Sequence, residues 1–66
     1  MNKNEKLIGN CVKITDKESM YEGHWGFVKH WDGDVFHISG GSISTSFGEL
    51  TPVFDRNQFK LIKVGG

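Results

Sequence analysis

The sequence predicts an all-β fold: five short strands curled into a small barrel, with a long first loop and a 3-10 turn before the last strand. Three observations lead there. Apolar residues rarely recur at the three-and-four spacing of a helix. Short runs rich in β-branched and aromatic residues are instead separated by glycines and an Asp-Gly pair. Finally, 66 residues make one domain, and a core this small is enclosed by a curled sheet but not by a flat one.

The elements follow in order. Residues 1–6 are polar and are expected to form a loose end, as are Gly65 and Gly66; the domain is read as residues 7–64. In "CVKIT", Val12 and Ile14 can face the core while Cys11, Lys13 and Thr15 face away. The stretch from Asp16 to His24 is a long loop. Gly23 and Gly26 lie at its exit, where the chain needs positive φ or a close approach between backbones. "GFVKHW" is the second strand. With Val28 inward, a regular strand sets Phe27, Lys29 and Trp31 on the face opposite Val28 and His30.

Asp32-Gly33 then predicts a hairpin with a type I′ turn. "VFHIS" is the third strand, with Phe36 and Ile38 alternating against Val35 and His37. "SGGS" permits a second tight turn, after which "ISTSF" is expected to return as the fourth strand. Pro52 cannot donate to a sheet ladder. Asp55 can cap a 3-10 turn through Arg56, Asn57 and Gln58. "FKLIKV" closes the fold with Phe59 and Leu61 inward, or with Ile62 and Val64 inward in the opposite register.

This order, carried by "VKI", "YEGHWGFV", "GDVFHI" and "PVFDRNQFKLI", resembles the SH3-like small barrels, and among them the KOW-like branch of ribosomal and transcription-elongation proteins. Gly23, Gly26 and Val28 match the glycine, glycine and apolar-strand spacing of that branch. The likeness runs over residues 8 to 64 and implies an SH3-like barrel that binds RNA or DNA. The chain departs from the nucleic-acid-binding members in carrying few cations around the first loop: Glu18 and Glu22 stand there with Lys17 and Lys29, and Arg56 is the only arginine. A fainter resemblance, through "PVFDRNQF", is to the plasmid-encoded dihydrofolate reductases, tiny SH3-like barrels that work as tetramers around a shared pore. Their pore-lining Val-Gln-Ile-Tyr run has no counterpart in "ISTSFGEL", so that activity is not carried over.

Composition narrows the function classes. The formal net charge is zero, with a pI near 6.8, which argues against a strong non-specific nucleic-acid binder but leaves room for a local patch. One cysteine excludes an intrachain disulfide framework, and the start "MNKNEKLIGN" has no apolar run of signal-peptide length. A cytoplasmic protein without a membrane span is expected.

The densest chemistry is "YEGHWGFVKHWDGD". A barrel of this size cannot bury every ring, so at least one of Tyr21, Trp25 and Trp31 should be partly exposed. The predicted binding residues are Tyr21, Trp25, Trp31 and Phe47, with Lys29 beside them. Exposed rings suit either a stacked base or an extended peptide in a groove. The acids Glu22, Asp32 and Asp34 nearby favour a protein partner, or self-association through an exposed strand edge. The alternative is weak RNA or DNA binding, with Lys13, Lys17 and Lys29 on phosphates. An enzyme that exists only as an oligomer is the third reading.

No catalytic residue, metal site or cofactor is predicted. His24, His30 and His37 with Cys11 match no compact ligand spacing. His30 and His37 are better read as a cross-strand pair, for which a pH response is conceivable. Cys11 is read as inert rather than as a nucleophile. "SGGSISTS" lacks the lysine and following helix of a phosphate loop.

Overall fold

Alternation decides the first strand, as expected. In the computed structural model, which describes residues 5–62, β1 (Cys11–Ile14) buries Val12 and Ile14 completely and leaves Lys13 exposed. It is preceded by a 3-10 turn, Glu5–Leu7, where the sequence reading expects a loose end. β2 (Trp25–Trp31) and β3 (Phe36–Ser39) follow as an antiparallel hairpin. Asp32 donates its N–H to the Val35 carbonyl across the turn, so the central residues are Gly33 and Asp34. Only Gly33 has positive φ, at 98°. The expected type I′ turn, which needs positive φ at both, therefore does not form. Asp32 Oδ1 fixes the turn by accepting from the N–H groups of Asp34 and Val35.

The next segment departs from expectation. Residues 41–47 form a helix, α1 (Gly41–Phe47), and the fourth strand is the two-residue β4 (Val53–Phe54). Ile43 and Phe47 stand four apart, so a helix sets both on one face. Ser44 and Thr45 between them bond to the backbone at the helix start: Ser44 Oγ accepts from Gly40 N at 2.9 Å and Thr45 Oγ1 donates to the Gly41 carbonyl at 3.0 Å. Ile43 is fully buried, so tertiary packing settles a segment whose composition alone does not favour a helix.

A 3-10 turn, Arg56–Gln58, then leads into β5 (Phe59–Leu61). Asp55 and Gln58 form a capping box, one bond of which is Asp55 N to Gln58 Oε1 at 2.7 Å. Phe59 is buried, whereas Leu61 shares its face but stays 46% exposed. Of the opposite register, Ile62 is exposed and Val64 lies outside the described residues.

The sheet is five-stranded and antiparallel in the order β4-β3-β2-β1-β5. The two outer strands do not pair with each other, so it stays open and does not close into the expected barrel. It is nonetheless strongly curled: Phe36 on β3 and Phe59 on β5 meet edge to face at 5.2 Å, although β2 and β1 lie between their strands. Val12, Ile14, Val28, Phe36, Ile38, Ile43, Phe54 and Phe59 make the core, with Leu7, Tyr21 and Trp31 packed against it. The shortness of β4 explains the gap, because two residues after a proline offer little ladder for β5 to reach. Among the described residues no helix is long and apolar enough to cross a membrane.

Candidate functional site

Three lysines and two aromatic rings share the face of the sheet that points away from the core. Register builds it row by row. Lys60 on β5, Lys13 on β1 and Trp25 on β2 are successive neighbours; Cys11, Phe27 and Ser39 form the next row. Lys29 follows Phe27 along β2 and holds its ammonium 5.7 Å from the Phe27 ring centre, within cation–π range. Trp25 and Phe27 meet edge to face at 5.7 Å. Trp25 is 41% exposed, so its ring on this face is open to solvent.

Trp25 is held from below. Its N–H donates to Ser42 Oγ at 2.8 Å, and the Ser42 hydroxyl lies 3.3 Å from the Trp25 carbonyl. The indole lies over Gly41, so closely that a Cβ there would meet ring carbons at 2.5 and 2.6 Å. The glycine pair read as a tight turn is therefore the floor under the exposed tryptophan. At the loop exit the two expected uses of glycine are divided: Gly23 has φ 85°, and Gly26 lets the backbone of Ser39 approach to where its Cβ would sit at 3.0 Å.

The predicted binding residues do not form one cluster. Tyr21 and Phe47 meet at 4.6 Å, and Tyr21 also packs edge-on to Phe54 at 5.7 Å. They close the end of the core under the first loop, with His24 against Phe47 at 5.0 Å. Trp31 lies on the core side. A β-bulge makes the difference: Val28 pairs with Ile38, but His30 pairs with His37, so Lys29 is an extra residue. The alternation expected for a regular strand is reset there. His30 turns outward beside His37, ring centres 5.3 Å apart, and Trp31 turns to Phe36. Of the residues named from sequence, Trp25 and Lys29 share the outer face. Phe27 and Lys60 were not named; the alternation of "WGFVK" signals the first, whereas the second needs the β1–β5 register.

Two of the acids weighed from sequence lie elsewhere. Asp32 and Asp34 sit beyond the far end of β2, six residue steps or about 20 Å along the strand from Trp25. Asp32 Oδ2 lies 3.1 Å from His37 Nε2. The Val35 N–H, then the His37 ring and the Asp34 N–H, lower the Asp32 carboxyl to about 2. Asp16 is also held below the usual carboxylate range, first by the Gln58 amide at 2.7 Å and then by the Glu18 N–H. Lys17 lies on the first loop, outside the sheet. Among the described residues no three His, Cys, Asp or Glu side chains converge as metal ligands.

Both strand edges are blunted. The Gln58 carbonyl accepts from Thr15 N just past β1 and Ile62 N donates to the Cys11 carbonyl, so by alternation Phe59 and Leu61 turn their backbone groups outward. Arg56 Nη1 donates to the Phe59 carbonyl at 3.2 Å and lays its guanidinium 5.1 Å from the Phe59 ring centre. At the other edge, β4 is short and begins after Pro52. A shallow cleft of about 260 Å³ adjoins the outer face, between Lys29 and Ser39 on the sheet and Glu49 and Leu50 beyond α1. No family model, no curated protein and no solved structure matches the chain.

Proposed function

We propose that this protein is a non-catalytic interaction module whose outer sheet face binds an extended anionic chain, and that single-stranded nucleic acid is the ligand its chemistry fits best. One observation carries the reading: a solvent-open Trp25 and the neighbouring Phe27 lie among Lys13, Lys29 and Lys60, with no carboxylate on those strands' outer rows. Aromatic faces stack bases whatever their sequence, and lysines spaced along them neutralise phosphates. The preference for a protein partner drawn from sequence leaned on Glu22, Asp32 and Asp34; the two aspartates lie at the opposite end of β2, and Glu22 lies on the first loop, outside the sheet.

A protein partner is the second reading. It is favoured by Met20, 71% exposed on the first loop between Glu18 and Glu22, a combination suited to a basic, apolar peptide.

The test is anisotropy of a fluorescein-labelled single strand across a salt series. Three lysines at about 0.7 each give a slope of log affinity on log salt of about −2. Trp25→Ala should weaken binding about 5- to 150-fold, the loss of one stacked base. Affinity that ignores salt, or that Trp25→Ala leaves intact, overturns the proposal.

A further inference from the structure

The cleft beside the outer face is built differently from the face itself. Lys29 is common to both: it lines the cleft and holds its ammonium over Phe27. Gly40 is common too, since a Cβ there would stand 3.1 Å from the Phe27 ring. A chain stacked on Trp25 and Phe27 therefore arrives at the cleft without a break. Its volume, about 260 Å³, is that of about nine waters at ~30 Å³ each, room for a single flat ring system rather than for a second strand.

Its lining is polar and of mixed charge. Ser39, Ser44 and Thr51 offer hydroxyls, Leu50 an apolar wall, and Glu49 a carboxylate. Ser44 Oγ already accepts from Gly40 N, which leaves its proton to donate. A carboxylate repels phosphate, so on an otherwise basic face Glu49 is misplaced for the backbone of a nucleic acid. A carboxylate suits the edge of a base instead. A carboxylate accepts two parallel bonds from adjacent donors. Among the four bases, guanine presents such a pair on its Watson–Crick edge, N1–H and the N2 amine, next to the O6 acceptor that a lysine recognises.

We infer that this cleft is a base-reading subsite for one unstacked guanine, with Glu49 accepting from N1–H and N2–H and Lys29 donating to O6; the inference rests on the nucleic-acid reading of the outer face. It turns a sequence-tolerant stacking surface into one with a preference.

The test uses the whole protein and labelled uridine pentamers whose central base is guanine, hypoxanthine or adenine. Hypoxanthine keeps N1–H and O6 and lacks only the N2 amine. Guanine is expected to bind about tenfold tighter than either, as one bidentate pair discriminates. Glu49→Gln removes the bidentate acceptor and should bring the three within about twofold of one another, whatever the common change in affinity from the lost charge. Trp25→Ala should weaken all three alike. If the three pentamers bind equally well, or if Glu49→Gln keeps the guanine preference, the subsite is wrong and the stacking face stands. If none binds the native protein, the face and the subsite both fall.

Discussion

Replacing Gly41 with alanine adds one methyl group at the most crowded point of the binding face. The backbone there has φ 54°, the left-handed region that costs an L-residue about 1–2 kcal/mol. The new carbon would stand 2.5 Å from Trp25 Cε3, 2.6 Å from Cζ3 and 2.7 Å from the Trp25 carbonyl oxygen, where carbon atoms pack best at about 3.5–4.0 Å. The indole can swing aside, but the carbonyl belongs to the β2 backbone and accepts from Ser42 Oγ, so it cannot move without disturbing that bond and the strand. Overpacking of this kind costs a further 1–3 kcal/mol or so. The sum, about 2–5 kcal/mol, rivals the whole stability of a domain this small. A melting temperature lower by at least about 8 °C is expected, at about 4–8 °C per kcal/mol.

Gly33→Ala is the control: its φ is 98° but nothing lies within 4 Å of the added carbon, so only the backbone cost of about 1–2 kcal/mol applies. Circular dichroism melts of the two variants, with the Trp25 indole N–H followed by NMR, separate strain from collision. Gly41→Ala melting no lower than Gly33→Ala, with the Trp25 resonance unmoved, would refute the packing of Trp25 on the helix start.

Two further outcomes are expected, besides the binding tests above. Asp32 has its pKa depressed from 3.8 to about 2; its contribution to stability is present above pH 3.8 and lost as the pH falls towards 2. Melting temperatures measured between pH 5 and pH 2 should therefore fall less steeply in Asp32→Asn than in the native protein, and parallel curves would contradict the turn's hydrogen bonding. Arg56→Ala uncovers the Phe59 carbonyl and the outer edge of β5, so light scattering should show more concentration-dependent association than in the native chain; identical behaviour would mean that Arg56 does not guard that edge.

Local pattern fixed much of this protein before any packing was considered. The alternation in "CVKI" and "FHIS" set the inward residues of β1 and β3, because a strand has period two and one buried side. Asp32-Gly33 placed the hairpin, and Asp55 with Gln58 the capped turn before β5, because both depend on neighbours within four residues. Counting rings against a small core required that at least one of Tyr21, Trp25 and Trp31 be open, without saying which.

Other features lay beyond local pattern. "ISTSF" reads as a strand by composition and becomes a helix because Ile43 is needed in the core, at a site set by residues far along the chain. The bulge at Lys29 carries no signal in "FVKHW", yet it sends Trp31 to the core side and His30 to the surface. The basic face depends on Lys13 and Lys60, 47 positions apart in the sequence, becoming neighbours in the β1–β5 ladder. The sequence by itself determined β1, β2, β3 and β5 and the rings available to them; tertiary structure decided the fourth strand, which rings face water and which charges stand beside them, because strand register and helix docking are settled by distant residues competing for the same small core.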